Sequence, residues 1–286
     1  MHYFHNENNY YILNSYIDYP QLLLNFLLIT RLFLIELFLF FLIKNKFSRF
    51  SMSNGEITKL IPVSPPKKIV VFDLDETLGY FTELSIFWNA LENYYGVNLF
   101  NEQFYEVLDI FSEFLRPNII DILQFLKEKK INKECDQIMI YTNNQGPKTW
   151  VYMLSNYFND KISYKLFDKI IAAFKVNGKI VEINRTSHDK SVEDLVRCTK
   201  IQSDTEICFI DDQYHPLMNN DNVYYINLKP YIFTIPFPEM ADRYYELNKY
   251  NLKKEISKIS FNQAITNYMN RYNIRIKEKI RQEKML

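Results

Sequence analysis

The stretch IVVFDLDETL, Ile69 to Leu78, places two carboxylates and a hydroxyl, Asp73, Asp75 and Thr77, directly after four apolar residues. In an extended chain successive side chains point to opposite faces, so residues two apart share a face. Asp73 and Asp75 then stand side by side where the strand ends, while Leu74 turns back toward the core. Two carboxylates held together in this way suit a divalent cation, because hard cations take oxygen ligands and offset the repulsion between like charges. The spacing predicts a magnesium-dependent site with a carboxylate nucleophile.

Other apolar runs end in the same manner. QIMIYTNNQG, Gln137 to Gly146, ends at Thr142, and EICFIDDQYHP, Glu206 to Pro216, ends at the pair Asp211 and Asp212. RTSHDKSVEDLVRC places Lys190 at the start of a helix, and VYYINL, Val223 to Leu228, is a fourth strand. Strands that alternate with helices and end in functional groups follow the rhythm of a parallel sheet, whose ligands bind outside the carboxyl ends. The fold class expected is α/β.

Asp73-Leu74-Asp75-Glu76-Thr77 resembles the DxDxT signature of the haloacid dehalogenase (HAD) superfamily. Its DLDETL form is similar to that of the RNA polymerase C-terminal-domain phosphatases and their NLI-interacting-factor-like relatives. RPNIIDILQFLKEKK, Arg116 to Lys130, resembles the helix that precedes the second motif in those phosphatases, and the resemblance runs from about Lys68 to Leu228. It implies a HAD-like Rossmannoid parallel sheet with helices on both faces and a small helical insert after the first motif. It further implies Mg²⁺, an aspartyl-phosphate on Asp73 and acid/base work by Asp75. Asp73, Asp75 through its backbone carbonyl, and Asp211 would ligate the metal. Asp212 would stand beside them, orienting Lys190 or water. Thr142, with Asn143 as a further donor, and Lys190 would hold the phosphate. Lys175, Lys179 and Lys200 compete with Lys190 for the third motif, and His188 is a surface residue within reach of substrate. The chain departs from the family at DDQYHP, where relatives read DNSP or DDSP, so that Tyr214 and His215 replace small residues.

The elements that must position these groups occupy residues 69–250. With 23 Phe and 22 Tyr in a chain that is 48% hydrophobic, a sizeable core can be buried. Two or three aromatic-rich helices are expected between Gly79 and Leu115. One runs from Ser85 to Tyr95 with a serine cap, and another from Asn101 to Leu115. A helix runs from Lys148 to Phe158, and Asn177-Gly178 marks a hairpin turn before a strand-like run from Lys179 to Asn184. Cys135, Cys198 and Cys208 contain no CxxC pair and suit a reducing compartment.

Charge is balanced overall, but its distribution is uneven. Residues 251–286, a basic helical tail, hold nine Lys/Arg against three Asp/Glu, whereas residues 52–250 carry an excess of seven negative charges. An acidic catalytic region argues against nucleic-acid backbone binding there. Leu22 to Ile43 is a 22-residue apolar run, roughly 33 Å as a helix and long enough to span a bilayer. Its 18 apolar residues favour insertion by about 0.3 to 0.6 kcal/mol each, and Arg31 and Glu36 oppose it by about 2.5 to 3.5 each. Two readings stand: a single-pass anchor with the catalytic domain in the cytosol, or an upstream extension before Met52, which opens a linker (52–68) ahead of a soluble cytoplasmic domain.

The function expected is Mg²⁺-dependent phosphomonoester hydrolysis, with a protein phosphoserine or phosphothreonine as leading substrate. A small metabolite or a nucleic-acid end is the alternative on the same scaffold. A non-catalytic, membrane-tethered interaction protein is the reading from another class.

Overall fold

The computed structural model describes residues 66–99, 101–248 and 257–283, all within one compact unit, Lys59–Leu286. The segment 22–43 lies outside the described residues, among which no helix is long and apolar enough to cross a membrane.

Five parallel strands form the main sheet: β1 (Lys68–Phe72), β2 (Gln137–Tyr141), β3 (Lys169–Ile171), β6 (Glu206–Asp211) and β7 (Val223–Asn227), in the order β3-β2-β1-β6-β7. Ile69, Val71, Met139, Tyr141, Ile207 and Phe209 form one face of a buried cluster, packed against Leu195, Val192 and Cys198 of a helix, α5 (Val192–Thr199). The alternate residues Val70, Phe72, Ile138, Ile140, Cys208 and Ile210 are equally buried. Both faces are therefore covered, which is why the strands read as unbroken apolar runs. Phe72 pairs with Ile140 on one side and Ile210 on the other, so Asp73 emerges level with the ends of β2 and β6.

The insert after β1 consists of α1 (Thr82–Tyr95), α2 (Asn101–Ile110) and a 3₁₀ turn, Ser112–Phe114. The expected serine cap is not at the helix start. α1 begins three residues earlier with Phe81 at its cap position, and Ser85 Oγ donates to the Thr82 carbonyl inside the first turn (2.7 Å). The helix closes at Gly96, whose φ of 68° and bond to Glu92 O are the usual left-handed exit. α3 (Ile119–Ile131) leads into β2, and α4 (Lys148–Lys161) into β3. Edge-to-face contacts join Trp88 of α1, Phe104 of α2 and Trp150 of α4.

β3 was not evident in the sequence because it is three residues long with only Ile171 fully buried. The strand-like run at 179–184 contributes two residues to a hairpin, β4 (Lys175–Val176) with β5 (Lys179–Ile180). Asn177 and Gly178 both take positive φ there, as a tight hairpin turn demands. Two further helices close the unit, α6 (Phe237–Asn248) and α7 (Lys258–Glu283). α7 comes from the basic tail, yet Phe261, Ile265 and Met269, four residues apart, are fully buried. Phe261 meets the rings of Tyr94 on α1 and Tyr244 and Tyr245 on α6.

Candidate active site

The carboxyl ends of β1, β2 and β6 gather the polar groups. Asp73 follows β1, its N–H donating to Ile210 O (2.8 Å), and Leu74 turns into the core as alternation requires. The loop then reverses sharply at Glu76, φ 61°. Arg116 secures that reversal: Nε donates to Thr77 O (2.6 Å), and its guanidinium also reaches the carbonyls of Glu76 and Lys229. Gly79 is required where the loop passes the insert, because a Cβ would lie 2.5 Å from Phe114 O.

Carboxylate oxygens of Asp73, Asp211 and Asp212 lie within 4.8 Å of one another, and all three residues are buried. Lys190, 1% exposed, donates to Asp73 Oδ1 and to Asp211 Oδ2 (2.7 Å). Lys179 and Lys200 are exposed, and Lys175 lies over the Phe174 ring; of the four candidates, Lys190 is the one brought to the cluster. Its placement is local in origin. Ser191 caps α5, its Oγ accepting from Asp194 N (3.1 Å), so the residue before the cap enters the site.

Asp75 is held differently. Its carboxylate stands outside the close group and accepts from Asn144 Nδ2 (2.7 Å). Asn144 N donates to Thr142 Oγ1 (3.0 Å) and Gly146 N to Asn144 Oδ1 (2.8 Å), a side-chain turn that fixes the β2 loop. Asn143, the expected donor, keeps its Oδ1 buried without a hydrogen-bond partner, and it is Asn144 that reaches the acids. Asp212 was expected to orient Lys190 or water. Its side chain is bonded to Thr77, whose Oγ1 donates to Asp212 Oδ1 (3.0 Å) and accepts from Asp212 N (3.1 Å), tying the loop after β1 to the loop after β6.

Electrostatics separate the acids. Burial pushes Asp73 up to about 7, with Asp211 and Asp75 adding to the rise against the pull of Lys190. Burial also raises Asp75, opposed by the Asn144 hydrogen bond, and raises Asp212, opposed by Thr77. Asp211 goes the other way: burial alone would raise it, but hydrogen bonds from His215, Lys190 and Gln213 N hold it below the usual range. Four carboxylates thus share one ammonium. That excess of buried negative charge, presented as oxygen atoms, is the donor set a hard divalent cation takes, so the residues fit Mg²⁺.

Three participants were not evident in the sequence. Asn144, Arg185 and Tyr225 carry no charge pattern or spacing that singles them out. Arg185, 2% exposed, lies over the Tyr141 ring (4.8 Å) and donates to the carbonyls of Thr142, Ala172 and His188. His188 itself is exposed, its ring against Phe174. His215 is buried, with Nε2 3.3 Å from Asp211 Oδ2, while Tyr214 is 62% exposed.

No protein-family model matches the chain, and neither curated proteins nor solved structures provide a match.

Proposed function

We propose that the chain is a Mg²⁺-dependent phosphomonoester hydrolase of the HAD type that works through an aspartyl-phosphate on Asp73. The observation that carries this reading is Lys190 bridging Asp73 and Asp211 inside the buried group Asp73, Asp211 and Asp212, with Asp75 held apart on Asn144. One cluster alone would suit any cation-binding protein. A second carboxyl, set beside the first and raised by burial, supports acid/base chemistry as well.

Asp73, Asp211 and Asp212 would hold Mg²⁺ with the Asp75 backbone carbonyl. The bound cation supplies charge neutralisation, without which a carboxylate is a weak attacker of an anionic phosphate. An Asp73 oxygen forms the bond to phosphorus as the ester P–O bond breaks, and Asp75 gives its proton to the departing alkoxide. In the second half Asp75 takes a proton from water, whose oxygen bonds to phosphorus and releases the Asp73 carboxylate with inorganic phosphate. Lys190 offsets charge on the attacking carboxylate, and the Thr142 hydroxyl, whose own O–H can still donate, positions a phosphate oxygen.

A phosphoserine or phosphothreonine in a protein is the substrate class proposed. The insert's aromatic faces support it, since they are spent on α4, α6 and α7, as in the pairs Phe104–Trp150, Phe87–Tyr244 and Tyr94–Phe261.

The test is hydrolysis of phenyl phosphate and a phosphopeptide panel by the purified full chain, with and without Mg²⁺. Asp73→Asn reduces turnover to background. Retained Mg²⁺-dependent turnover in that variant refutes the assignment, and faster turnover of small phosphometabolites than of every phosphopeptide moves the substrate class.

A further inference from the structure

The loop after β6 reads Gln213-Tyr214-His215-Pro216, and its side chains build a brace rather than a bare turn. His215 is 9% exposed, and its Nε2 approaches the same Asp211 oxygen that Lys190 reaches, Oδ2 (3.3 Å). The other oxygen, Oδ1, accepts from Gln213 N (2.8 Å). His215 is in turn anchored from the neighbouring strand: its N–H donates to Tyr225 Oη (2.9 Å), and that phenol donates to the Gln213 carbonyl. Tyr225, on β7, is held between two rings, Phe209 (centroids 4.9 Å, 65°) and Tyr214 (5.7 Å, stacked at 14°). Pro216 then opens a 3₁₀ turn whose Met218 N–H closes on His215 O (3.0 Å). Both backbone polar groups of the histidine are therefore bonded, and its Nε2 faces the Asp211 carboxylate.

We propose that His215 is a positioning residue for the cation-binding carboxylate of Asp211, with Tyr225 the anchor that holds the histidine in place. The reasoning is geometric. Asp211 is the last residue of its strand, and the ladder there, Leu228 N–H to Asp211 O (2.8 Å), fixes its backbone but not the rotation of its carboxylate. Lys190 is a point charge shared with Asp73, so by itself it does not fix the plane of the Asp211 carboxylate. A donor on Oδ2 from the ring, with the Gln213 amide on Oδ1, sets the plane of the carboxylate, and Oδ1, which accepts that one bond, keeps a lone pair for a cation. Partners of this kind, which orient a ligand without touching the metal, are worth about 10- to 100-fold in metal affinity.

This inference rests on the cation site assigned above but not on the phosphatase activity, and the two are separated by direct binding. Mg²⁺ binding to the full chain is measured by titration calorimetry for wild type, His215→Ala, His215→Gln and Tyr225→Phe, each checked for cooperative unfolding. His215→Ala weakens binding by about 10- to 100-fold. His215→Gln, which restores an N–H near the Nε2 position, recovers most of the loss, and Tyr225→Phe gives an intermediate loss. Wild-type affinity in His215→Ala overturns the proposal. Equal losses in His215→Ala and His215→Gln overturn it too, because the ring would then act only by filling space. Absence of Mg²⁺ binding in wild type removes the site itself. If binding follows the brace while no phosphomonoester is turned over, the function assigned to the site fails and the brace stands.

Discussion

Asp73 and Asp75 are two residues apart, yet the chain treats them as different chemical objects. Asp73 shares Lys190 with Asp211, whereas Asp75 receives a neutral amide from Asn144. The pKa consequence can be tested. Burial raises Asp75 above its ordinary value, and the Asn144 hydrogen bond, which favours the charged form, limits the rise. Asn144→Ala removes that limit, so Asp75 titrates higher still. A general acid must be protonated to act, so the alkaline limb of kcat/KM for phenyl phosphate moves to higher pH in the variant. An unmoved limb would take Asp75 out of the acid role. Thr77 teaches the same lesson about position: its hydroxyl is consumed by Asp212, making it a tie between loops.

At the level of elements, the short helix α5 decides where the lysine goes. Its first turn is over-determined: Ser191 caps Asp194 N, Ser191 N donates to Tyr141 Oη (3.3 Å), and the fully buried Asp194 carboxylate accepts from Thr186 N (3.0 Å), Thr186 Oγ1 (3.1 Å) and Arg197. Burial would raise Asp194, but these hydrogen bonds outweigh it and hold the carboxyl below its usual range. A group depressed in the folded state stabilises fully above its unfolded value, near 4, and loses that contribution as pH falls through the lower folded value. Asp194→Asn should therefore cost about 1 to 3 kcal/mol at pH 7. The gap to wild type should close as pH falls through and below 4. Urea unfolding at pH 7 and at pH 3 measures both differences, and an equal deficit at the two would assign the loss to shape alone.

Across the whole molecule, the tail is part of the packed unit. Phe261 brings α7 against Tyr94 and Tyr244, so residues nearly 170 positions apart in sequence share one aromatic cluster. Phe261→Ala should destabilise the chain by about 3 to 5 kcal/mol, as other large-to-small changes at fully buried aromatics do. The urea midpoint reads it, and a loss under about 1 kcal/mol would mean that α7 is peripheral. Lys258, at the start of α7, adds ion pairs to Asp242 (2.6 Å) and Glu246 (2.7 Å) of α6.

The α/β architecture and the polar groups at the strand ends were legible in the sequence because both are local. Buried parallel strands appear as unbroken apolar runs, and each run announces its end by the first polar residue. Asp73, Thr142 and Asp211 are therefore visible without coordinates. Lys190 was already favoured over three other lysines by the resemblance, but its contact with Asp73, the choice of Asn144 over Asn143, and Thr77 as the partner of Asp212 required the tertiary structure. Those contacts join positions 69, 117 or 135 residues apart, and no periodicity along a chain encodes which side chains two separate loops will bring within 3 Å. The short β3 and the buried stripe of α7 belong with them: their place follows from what the neighbouring elements leave to be covered, a property of the assembled fold.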